Sequence, residues 1–70
     1  MTYTPEDPRH QEMLTMLGLS LRLLLTAPNE RYDEALEQAE GMRELCMQRG
    51  IPNAAIENTM ENAAQWFQSQ

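Results

Sequence analysis

Apolar residues recur at helical spacing in three blocks along the chain, and proline, glycine and asparagine separate the blocks. No strand-like alternation interrupts them, and β-branched residues are few. Asp7 followed by Pro8 reads as an N-cap and first helical position, because proline there forfeits only an N–H that would be orphaned anyway. Pro28 drives Ala27 out of the α region, so this first helix should stop near Thr26. Asn29 is placed to cap a second helix, with Glu30, Asp33 and Glu34 against its positive end. Gly50 then falls where a left-handed residue is wanted after a helix, and Ile51 can fold back on Leu45 or Cys46. Pro52 blocks continuation and Asn53 caps a third helix. The pattern predicts an all-α, three-helix antiparallel arrangement with helices at about 8–26, 30–49 and 54–68. Residues 7–70 form one helical domain behind a loose segment, 1–6.

Placed at 100° per residue, the second helix gathers Tyr32, Ala35, Leu36, Ala39, Met42 and Cys46 on one face. The third gathers Ile56, Met60, Ala63 and Phe67, with Ala64 and Trp66 on its flanks. The first is greasier. Met13, Leu14, Leu17, Leu21, Leu24 and Leu25 make its main face, while Met16, Leu19 and Leu23 form a second line on another side. Leaving those three wet would forgo roughly 1.5–3 kcal/mol apiece. Either the third helix wraps round to cover them, or a second copy does. A homodimer built on the first helix is the expectation, with Gly18 and Ser20 letting backbones approach at the seam.

Length sharpens that expectation. A core drawn from 70 residues supplies only about 3–5 kcal/mol unless a disulfide, metal or second chain helps. Cys46 is the sole cysteine, so no bridge can form within the chain. The lone thiol and the acidic, proline-containing start suit a soluble protein of the cytoplasm, without signal peptide or membrane span. Trp66, at the edge of its helix, is a typical interface anchor, and six methionines add adaptable apolar surface.

The net charge is −6, with no lysine and five scattered arginines, which excludes direct contact with nucleic acid or anionic membrane. Six carboxylates (Glu30, Asp33, Glu34, Glu37, Glu40 and Glu44) fall within about 120° on the second helix, a strip roughly 20 Å long. Like charges meet at 30/34, 33/37 and 40/44, each pair costing about 0.2–0.5 kcal/mol, with relief only from Arg31 toward Glu34 and from Arg43 toward Glu40. Such a strip is either a solvated helix back or a docking surface for a basic partner.

Candidates for catalysis or cofactors are thin. His10, near Glu6, Asp7 and Glu12, reads as an exposed helix-start residue rather than a metal ligand. Cys46, on an apolar face without a histidine nearby, reads as a buried inert thiol. Glu57 and Glu61 lack an apolar pocket, and no glycine-rich phosphate loop exists. QRGIPN between two helices resembles the turn of a helix-turn-helix, but the helix after it has no basic residue to hold a DNA backbone. The expectation is a non-enzymatic module that binds another protein as regulator, inhibitor, adaptor or small chaperone. Met16, Leu19, Leu23, Trp66 and the acidic strip would carry that binding, with no metal or cofactor. Two alternatives remain: a nucleic-acid mimic whose acidic face blocks a DNA-binding protein, and a structural subunit stable only within a larger assembly.

Overall fold

A computed structural model describes residues 7–70, and the expected loose segment 1–6 lies outside the described residues. Three helices pack against one another: α1 spans Pro8–Thr26, α2 Tyr32–Gln48 and α3 Asn53–Gln68. Among the described residues there is no strand.

The start of α1 follows from two adjacent residues. The Arg9 amide donates to Asp7 Oδ1 at 2.9 Å while Pro8 occupies the first turn. That backbone bond, then the Arg9 side chain, holds the Asp7 carboxyl below its usual range. At the other end Ala27 is extended, as Pro28 requires. The end of α2 is a complete Schellman motif. Gly50 adopts φ 83°, its amide donates to the Met47 carbonyl, and the Ile51 amide donates to the Cys46 carbonyl, both at 3.1 Å. Ile51 is thereby turned into the core.

Two caps differ from expectation. Asn29 opens a short 3₁₀ turn, Asn29–Arg31, and α2 begins only at Tyr32 with no side-chain cap. Asn53 is already inside α3, whose N-cap is Pro52. Each proline fixes extended backbone one position earlier than the asparagine signal suggested, and that position becomes the boundary.

The core is small. Leu17, Cys46, Ile51 and Ile56 are buried together, with Met13, Leu14, Leu21, Met42 and Ala55 packed around them. α1 is the central element: α2 and α3 each pack along it but barely touch one another. The second and third helices were expected to pack as antiparallel neighbours, and they meet only slightly. The contact face of α3 is rotated. Ile56 and Ala63 are buried and Ala55, Thr59 and Trp66 half-buried, whereas Met60 and Phe67, expected in the core, stay exposed. Thr59 packs over Gly18, where a methyl would lie 3.5 Å from Thr59 Cγ2 in ordinary van der Waals contact, so the glycine marks the α1–α3 contact without being required for it. The Thr59 hydroxyl donates to the Ala55 carbonyl at 3.0 Å, which frees its methyl for that contact. Gly18 therefore faces α3 of its own protomer, and Ser20 is half-buried. Tyr32 and Leu25, also assigned to core faces, are exposed near the α1–α2 connection.

Candidate interaction surfaces

Three surfaces of this fold could meet a partner. The first is the second apolar line of α1. Buried Leu17 faces the core, and Met16, Leu19 and Leu23 lie roughly 100°, 160° and 120° round the helix from it. Met16, Leu19 and Leu23 accordingly remain 54%, 52% and 61% exposed. α3 does not wrap round to cover them; it packs over the side of α1 that carries Leu14, Gly18 and Arg22. The three side chains form a ridge on the protein's surface.

The second is the acidic strip. Ala39 and Cys46 fix which face of α2 is buried. Asp33, Glu34, Glu37, Glu40 and Glu44 lie on the other side, all exposed, over about 17 Å of helix. Glu30 is exposed too, but on the 3₁₀ turn, so it extends the strip without sharing its helical phase. The relieving pairs expected from Arg31 and Arg43 do not form; among the described residues the ion pair is Arg9–Asp7.

The third surface was not foreseen. A groove of about 470 Å³ runs between α1 and α3, floored by Leu14, Gly18, Ala55 and Ala63 and edged by Gln11, Thr15, Asn58 and Asn62. Leu19 belongs to its rim, so ridge and groove are continuous. Arg22 stands at the groove, its guanidinium carbon 4.9 Å from the centroid of the Trp66 ring. Trp66 is thus engaged within its own protomer and half-buried, a cation–π partner rather than a free anchor. Small residues at 18, 55, 59 and 63 were the signal for this groove, visible once the two helices are known to meet.

Other candidates resolve simply. His10 is buried rather than exposed: it lies seven residues before Leu17, two helical turns away, on the same face. Cys46 is fully buried, its Sγ 3.9 Å from the Met13 carbonyl oxygen, and burial pushes its thiol pKa up, away from the thiolate that nucleophilic chemistry needs. Among the described residues no group of three or more His, Cys, Asp or Glu could hold a metal ion. Among them, too, no helix is long and apolar enough to cross a membrane. α2 and α3 lack the mutual packing that sets a recognition helix in a helix-turn-helix. No family model matches the chain, and no curated protein or solved structure matches it at a significant level.

Proposed function

We infer that this protein works by binding another protein and performs no chemistry of its own. The observation that supports this reading is the ridge: Met16, Leu19 and Leu23 are adjacent, large, apolar and more than half exposed. Scattered surface leucines need no explanation, but a contiguous line on a central helix marks an interaction site. The acidic strip supplies the second half of the reading. A net charge of −6 and a row of exposed carboxylates favour a partner surface with basic residues, reached faster through long-range attraction.

The test uses immobilised protein, its retained partners and a salt titration. Replacing Glu37, Glu40 and Glu44 together by Gln should leave helicity unchanged and weaken retention on the order of tenfold at low salt. Unchanged affinity would return the strip to simple solvation. Replacing Leu19 and Leu23 by Ser should weaken the salt-resistant part of the binding, and indifference to that change would remove the ridge from the reading.

A second reading draws on the strip itself. Exposed carboxylates without ion-pair partners among the described residues, set along one straight edge, suit a mimic of a nucleic-acid backbone. On that reading the retained partner is a DNA-binding protein, and duplex DNA competes it off.

A further inference from the structure

The ridge is part of a longer series. Arg9, Glu12, Met16, Leu19, Leu23 and Thr26 follow one another on α1 at alternating spacings of three and four residues, and all six are exposed. That alternation keeps one side of a helix facing a second helix along a common seam, with each side chain set into a gap of its neighbour. A ridge so spaced is suited to another helix, and this chain contains one of matching length and spacing: its own α1.

We propose that the ridge is covered by α1 of a second copy, running antiparallel about a two-fold axis, with Glu12 of each protomer beside Arg22 of the partner subunit. The proposal rests on reading the ridge as an interaction surface and names what occupies it. Charge decides the direction. A parallel pairing sets each seam residue beside its own copy, so that Arg9 meets Arg9 and Glu12 meets Glu12. Each of those is a like-charge contact. An antiparallel pairing with Met16 against Leu19 of the partner subunit brings opposite charges together instead. Counting outward from that centre, Glu12 falls level with Leu23 of the partner subunit and next to the partner's Arg22, which lies on the flank of the seam. Symmetry makes this contact twice. Glu12 and Arg22 suit the role, because neither is in an ion pair within the protomer among the described residues. The Trp66 ring beneath the Arg22 guanidinium holds that cation at the edge of the seam. The arrangement also removes from water three of the large apolar side chains that the protomer leaves exposed.

Sedimentation equilibrium of the full chain over about 5–500 µM tests this, with helicity followed by circular dichroism. The expected result is a reversible dimer that Leu19→Asp weakens by at least about a hundredfold while helicity is kept. Glu12→Arg and Arg22→Glu should each weaken it about three- to tenfold, and the double variant should recover most of that loss. Restoration is specific to the antiparallel register, since in a parallel pair the double variant still places like beside like. A monomer throughout that range, or a dimer indifferent to Leu19→Asp, overturns the proposal. So does a Leu19-dependent dimer that the double charge reversal fails to restore. Its failure differs from failure of the functional reading: a monomer whose capture of a partner protein still requires Leu19 and Leu23 loses the second copy and keeps the ridge.

Discussion

Cys46 is the one thiol in the chain and sits fully buried in the core cluster with Leu17, Ile51 and Ile56. An alkylating reagent can reach it only when that cluster opens. A core of this size is worth about 3–5 kcal/mol, so the opened state is populated once in about 100 to 5,000 molecules. Iodoacetamide should therefore label the folded protein about 100- to 5,000-fold more slowly than the same chain in denaturing urea, compared at one pH and followed by intact mass. Labelling within about tenfold of the unfolded rate would refute the buried placement of Cys46, and the docking of α2 with it. The thiol also sets a pH dependence whose sign follows from its environment. Burial raises its pKa in the folded protein above the ordinary 9.0. Below pH 9.0 both states keep the neutral thiol and the stabilisation is complete. As pH rises further, the unfolded chain ionises first, and stability falls until the folded-state pKa has been passed. Urea midpoints measured upward from neutral pH should show that fall, and Cys46→Ala should abolish the part due to the thiol. Should the wild-type and Cys46→Ala profiles run parallel above pH 9.0, the stated cause is wrong.

Two other perturbations test the fold at its punctuation. Gly50 holds φ 83°, so Gly50→Ala should cost about 1–2 kcal/mol in urea unfolding. Gly41, in mid-helix with nothing within 4 Å of an added methyl, should instead gain about 0.5–1 kcal/mol on Gly41→Ala; the same sign at both glycines would contradict the geometry. The Asp7 carboxyl titrates below its ordinary 3.8, so its contribution is present above that pH and lost as pH falls through the depressed value. Asp7→Ala should flatten that portion of the acid unfolding curve, and an unchanged curve would remove Asp7 from the cap.

The ends of the helices were legible because their signals are local. Pro8, Pro28, Gly50 and Pro52 each restrict a dihedral angle within one residue, whatever the rest of the chain does. The exposed line on α1 was legible from its breadth: two neighbouring helices leave part of so wide an apolar surface uncovered. The face that α3 turns inward was not legible, and Phe67 and Met60 were misplaced with it; His10 was misplaced on its own account, on the Leu17 face of α1. The exposed positions of Met60 and Phe67 depend on how α3 docks against α1, a contact between residues about forty positions apart, such as Gly18 and Thr59. A helical projection ranks positions by their own helix and has no knowledge of the surface opposite. The asparagine caps failed on a smaller scale, because a proline beside each had already claimed the boundary.

The lopsided layout, with α1 gripped on two flanks by helices that hardly meet, gives the molecule a spine and two limbs. The limbs are joined to each other mainly where Cys46, Ile51 and Ile56 share the core cluster on Leu17, beside the Gly50 turn. Amide exchange would then report the far ends of the limbs opening separately, with the segments around that cluster the last to surrender their protons. A ligand gripping that spine would brace both limbs at once.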